Sequence, residues 1–157
     1  MRLLTLLMAV GLGWVASAGP PVVRVSLYSK YRPRQVWVER KGGMQVTLVA
    51  EDGRRRVERA ARIQVLCGGR APVLVESRGK KLAGASVEVR SANGAEAILR
   101  TGVPGGPARL YQGWLEVLER DRGCLIVNHV GLDPYSRQVA CGEIRGAGPE
   151  ALRAQAV

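Results

Sequence analysis

Apolar residues recur at every second position in stretch after stretch between Val22 and Val130, and this alternation most limits what the chain can fold into. Val23, Val25 and Leu27 alternate with Arg24 and Ser26; Val36 and Val38 flank Trp37; the pairs Val46 and Leu48, Val87 and Val89, and Leu115 and Val117 repeat the pattern. A period of two sends successive side chains to opposite sides of a pleated strand, so each stretch reads as half-buried β. Turn residues separate the stretches. Lys41-Gly42-Gly43 reads as a hairpin break between strands over 35–40 and 44–50, and Asp52-Gly53 as a tight turn. Asn93-Gly94 reads as a hairpin between 85–90 and 95–100, and Asp121-Arg122-Gly123 turns the chain into 125–130. Strands are also expected at 63–67 and 72–76 around Gly68-Gly69, and over 109–119. Phe is absent and aromatics make up 4%, so aliphatic side chains must build the core.

At 157 residues the chain is long enough for one domain, and 46% hydrophobic content excludes disorder over most of it. The densest group of breakers, Gly102-Val103-Pro104-Gly105-Gly106-Pro107, is expected to be a loop inside that domain. Arg54-Arg55-Arg56, Arg59 and Arg62 read as a solvated basic face, on a strand or an irregular ridge, and Lys80-Lys81 as part of a turn.

Residues 1–18 have the form of a secretory signal. Arg2 starts it, an apolar run follows from Leu3 to Val15, and Ala16-Ser17-Ala18 supplies the small-residue cleavage step. The run is shorter than the ~20 residues a spanning helix needs, so membrane attachment is expected only through an uncleaved signal segment. Removal of Arg2 with the signal lowers the net charge from +11 to +10. A basic exported protein suits an anionic envelope surface; the signal, and the lack of a basic stripe interleaved with aromatics, argue against nucleic acid. Three cysteines, Cys67, Cys124 and Cys141, allow at most one internal disulfide if they are not all simply buried. There is no Cys-x-x-Cys pair and His129 is the sole histidine, so this chain is expected to hold no metal or other cofactor.

The carboxyl end changes character. Leu125 to Val130 reads as a buried strand. Asp133 and Pro134 read as a helix start, with a helix over 135–140. Pro149-Glu150 then opens a final helix whose Leu152 and Ala156 share a face. Between these helices Glu143 sits among Gly142, Ile144 and Gly146. A carboxyl with apolar neighbours is poorly solvated, which raises its pKa and suits it to general-acid work. Arg145 could meet a substrate carboxylate, though a close positive charge would lower the pKa of that acid. Gln155 could orient the acid or bond a sugar, and Asn128 and Tyr135 are expected to fix the turn between strand and helix.

These residues resemble the SpoIID/LytB family, the stage II sporulation protein D and amidase-enhancer group that acts on bacterial peptidoglycan. The resemblance rests on Val127-Asn128, Leu132-Asp133-Pro134-Tyr135, Val139, Glu143 and Glu150-Ala151-Leu152-Arg153-Ala154-Gln155-Ala156-Val157, with support from Tyr111-x-Gly113. It implies a secreted lytic transglycosylase acting on glycan strands, with Glu143 catalytic, Arg145 and Gln155 at the substrate, and other cell-wall hydrolases as further partners. Glu143 would protonate the oxygen linking N-acetylmuramic acid to N-acetylglucosamine. As a carboxylate it would then take the proton of the sugar 6-hydroxyl, which closes on C1 and leaves a 1,6-anhydro end. No water is activated, so one carboxylate suffices. Two further readings from the same resemblance are a non-catalytic wall-binding module and an inactive fragment. Where family members carry Met after the acid this chain has Ile144, and its loop over 145–148 is short. The family also continues beyond the Ala-Gln-Ala-Val step, where some members hold zinc, so the chain is expected to be the N-terminal part of a longer protein. The expected fold is α+β, predominantly β: antiparallel sheets of short strands with two short C-terminal helices packed against them.

Overall fold

The computed structural model describes residues 20–69, 73–92, 98–137 and 139. Ten strands account for most of them: β1 (Val22–Leu27), β2 (Gln35–Val49), β3 (Arg55–Cys67), β4 (Val73–Ser77), β5 (Lys80–Gly84), β6 (Ser86–Ser91), β7 (Ile98–Gly102), β8 (Arg109–Gln112), β9 (Trp114–Arg120) and β10 (Gly123–Gly131). A 3-10 turn covers Ser29–Tyr31, and a short helix, α1, covers 132–137 and includes 139. The protein is predominantly β, as expected. Of the two expected C-terminal helices, α1 is present and begins a residue before Asp133, so Asp133 and Pro134 lie in its first turn. The second, over 149–157, lies outside the described residues, as do the signal segment, Asn93-Gly94 and Cys141.

Among the described residues all pairings are antiparallel, in the order β1-β10-β9-β6-β2-β3-β4-β5, with β7 added to β2 and β8 to β7. The stretch expected as one strand over 109–119 is divided at Gly113 into β8, which pairs with β7, and β9, which pairs with β6 and β10. Two connections also differ from the sequence reading. Lys41-Gly42-Gly43 does not reverse the chain. β2 runs through it, and both halves of β2 pair with β3, from Gln35↔Leu66 to Val49↔Arg55. Between Glu39↔Arg62 and Met44↔Ala60, four residues of β2 face Ala61 alone, a large bulge. Gly42 and Gly43 have φ of +98° and +87°, left-handed values that suit a bulge as well as a turn, so their presence could not choose between the two. The reversal comes at Ala50–Gly53, where the Gly53 amide donates to Ala50 O at 3.0 Å.

The second difference follows from the first. Among the described residues β6 and β7 do not pair with each other: β6 lies along the second half of β2 and β7 along the first half, in line rather than side by side. The sheet therefore branches at the bulge. The arginine-rich stretch is β3, a full strand with its arginines in solvent. Lys80 and Lys81 belong to β5, after a turn at Arg78-Gly79.

The sheet folds over one core. Val36, Val38, Met44, Ile63, Val65, Val73, Val87, Val89, Leu115, Val117 and Ile126 are all essentially sealed from solvent. They come from both limbs of the bent sheet, and β4 of one limb touches β6 and β9 of the other. Small β-branched side chains pack closely on a pleated surface, and each fully buried one contributes roughly 1.5–3 kcal/mol. A Cys67–Cys124 disulfide ties the end of β3 to the start of β10. Where Tyr28 turns the chain away from β1, its hydroxyl lies 2.9 Å from Thr101 O and 3.1 Å from Pro107 O, pinning the β7–β8 loop. Burial, then its hydrogen bond with Tyr111, raises the Tyr28 pKa well above the ordinary tyrosine value.

Candidate ligand-binding face

The inward valines of β2 oblige its alternate residues to face outward. Trp37 and Glu39 do so beside the branch point, and the register sets their neighbours: Glu39 lies opposite Arg62 on β3 and Arg100 on β7. The Arg62 and Arg100 guanidinium carbons lie 5.5 and 5.3 Å from the Trp37 ring centre. Glu39 accepts a 2.5 Å hydrogen bond from Arg100 and stands 3.7 Å from Arg62. Exposed ion pairs contribute little to stability on their own. Their effect here is positional, because one carboxylate and one indole hold two guanidinium groups over the same patch.

Beside this cluster the bulge and the β7–β8 hairpin frame an open groove of about 790 Å³. Arg40 and Lys41 come from the bulge, Arg62 and Arg100 from the cluster, and Ile98 and Leu110 from the hairpin. Four cationic side chains thus share the groove with a single carboxylate, Glu39. A second groove of about 430 Å³ shares Ala61 and Arg62 with the first and continues to Arg78, Lys80 and Lys81 on the β4–β5 hairpin. Lys81 is paired with Glu76 at 2.9 Å. The two grooves form one continuous basic surface along the outer side of this limb.

The outer side of the other limb carries a different cluster. Trp114 and His129 are cross-strand neighbours on β9 and β10, and their rings stack at 3.6 Å with 8° between planes. Arg90 covers Trp114 at 3.8 Å. His129 Nε2 lies 3.0 Å from Glu116, which also meets Arg24 at 3.5 Å. With the His129 ring so engaged, the cluster reads as cross-strand packing. Among the described residues no three His, Cys, Asp or Glu side chains gather as a metal site would require.

The three residues that the sequence marks for catalysis and substrate contact, Glu143, Arg145 and Gln155, lie outside the described residues. Tyr135 is half-buried on α1. Asn128 does not hold the strand-to-helix turn through its side-chain oxygen: it lies within β10, buried, and its Oδ1 has no partner among the described residues. The Trp37–Glu39–Arg62–Arg100 cluster was missed in the sequence. Alternation puts Trp37 opposite Val36 and Val38, but only the long-range register brings β3 and β7 to β2. No protein-family model, curated protein or solved structure matches this chain.

Proposed function

We propose that this protein binds the bacterial cell wall, with the basic outer surface of the β3–β5 limb contacting the carboxylates of peptidoglycan. The observation that carries this reading is the continuity of the two grooves through Arg62, which lines up Arg40, Lys41, Arg78, Lys80 and Lys81 along one side. A polymer with regularly spaced negative charge gains from many weak contacts of this kind. The Cys67–Cys124 disulfide supports an oxidising destination, in line with a secretory signal over 1–18. Co-sedimentation with purified sacculi tests the reading. Arg78→Glu, Lys80→Glu and Lys81→Glu together should release most of the protein at moderate salt. An unchanged bound fraction, or tighter binding to duplex DNA than to sacculi, would overturn it.

A second reading adds cleavage, with Glu143 as general acid and then base at the N-acetylmuramic acid to N-acetylglucosamine bond, and Arg145 and Gln155 at the substrate. Val127-Asn128 lies on the last described strand and Leu132-Asp133-Pro134-Tyr135 on the helix that follows, the strand-then-helix order that the SpoIID/LytB resemblance implies. Digestion of sacculi followed by muropeptide separation tests it. Anhydro-ended products that disappear in Glu143→Gln support cleavage, and their absence with wild-type protein leaves a binding module.

A further inference from the structure

The groove at the branch point is more than basic. Ile98 and Leu110 stand in it with 58% and 65% of their surfaces exposed, the largest values among the large apolar side chains of the described residues. Polyanion surfaces have no use for aliphatic side chains, and sugar sites present open aromatic faces. Here the Trp37 ring is already flanked by Arg62 and Arg100. An anionic membrane could use both properties, but it needs apolar residues on a protruding surface, and these line a hollow.

We propose that this groove is a docking site for an extended, acidic segment of a partner polypeptide, one in which carboxylate and aliphatic side chains alternate. The pleat of such a segment would send its aliphatic side chains onto Ile98 and Leu110. Its carboxylates would meet Arg40 and Lys41, which have no carboxylate within ion-pairing distance among the described residues. Arg62 and Arg100, held in place by Glu39, form the far wall. The bulge serves this site directly, because it lifts Arg40 and Lys41 out of the β2 ladder. The site shares Arg40, Lys41 and Arg62 with the proposed wall-binding surface; what is particular to it is the pair Ile98 and Leu110, which wall binding does not use.

Fluorescence anisotropy with a labelled synthetic peptide of alternating glutamate and leucine tests the proposal on the whole chain. Saturable binding is expected, weakened about tenfold or more by Lys41→Glu and by Leu110→Asp, two exposed positions whose variants should keep the wild-type melting temperature. A lysine-leucine peptide should bind the Lys41→Glu variant better than the wild type, a gain that misfolding cannot produce. The idea is overturned if the glutamate-leucine peptide does not saturate, if Leu110→Asp leaves its affinity unchanged, or if polyglutamate or anionic vesicles compete for Leu110 as well as the peptide does. Peptide binding by the Arg78→Glu, Lys80→Glu, Lys81→Glu triple variant, whose changes lie outside this groove, is measured in parallel and is expected to stay saturable, so that loss of sacculi with the peptide retained separates failure of wall binding from failure of this site.

Discussion

Gly113 shows how one missing methyl group can set the path of a chain. It joins β8 to β9 at φ +98°, and a Cβ at that position would stand 2.1 Å from His129 O. Neither backbone can retreat, because His129 and Trp114 are paired across β9 and β10. Gly113→Ala should therefore lower stability by about 3 kcal/mol or more, read as a shift of the urea midpoint, and should disturb the Trp114 fluorescence signal. Tyr28 makes a second residue-scale prediction. Tyr28→Phe removes the proton shared between Thr101 O and Pro107 O and should cost about 1–3 kcal/mol. Since the folded state raises the Tyr28 pKa, the native protein keeps a proton that the unfolded chain gives up. Stability from this group is thus complete below pH ~10 and declines as pH climbs above it. Thermal melts between neutral and strongly alkaline pH should show a steeper decline for wild type than for Tyr28→Phe.

At the scale of elements, the disulfide and the bulge decide how the limbs are held. Cys67 and Cys124 are 57 positions apart, and closing a loop of that size restrains the unfolded chain by about 4 kcal/mol in the chain-entropy account. The double variant Cys67→Ser with Cys124→Ser should lose a comparable amount in chemical denaturation and should match wild type measured under full reduction. Much of this scale was legible beforehand. The inward residues Val36, Val38, Val87, Val89, Leu115 and Val117 were readable from alternation, because a strand with one wet face must alternate. The turns at Asp52-Gly53 and Asp121-Arg122-Gly123 were readable from local chemistry. The path at Lys41-Gly42-Gly43 was not, because two glycines with positive φ fit a hairpin and a bulge equally well. The choice is made by β3, whose residues lie some twenty positions further on.

For the whole molecule, charge placement matters more than charge total. The formal charge of +11 pointed to an anionic partner without saying where it would sit. The fold gathers Arg40, Lys41, Arg62, Arg78, Lys80 and Lys81 on one limb, while Arg24 and Arg90 on the other are taken up by Glu116, Glu88 and Trp114. Sacculus binding should accordingly weaken steeply as salt rises toward ~1 M, where the Debye length falls to ~3 Å. The same titration should leave binding of the glutamate-leucine peptide partly intact, because its leucines do not sense ionic strength.

The pairing of β1 with β10 has a consequence for how such a chain comes to life. Val22 is paired with Gly131, so β1 cannot take its place in the sheet until β10 has been made. Its edge stays bare for that whole interval. A pairing between strands so far apart in sequence closes late, after the strands between them can make their own nearer contacts.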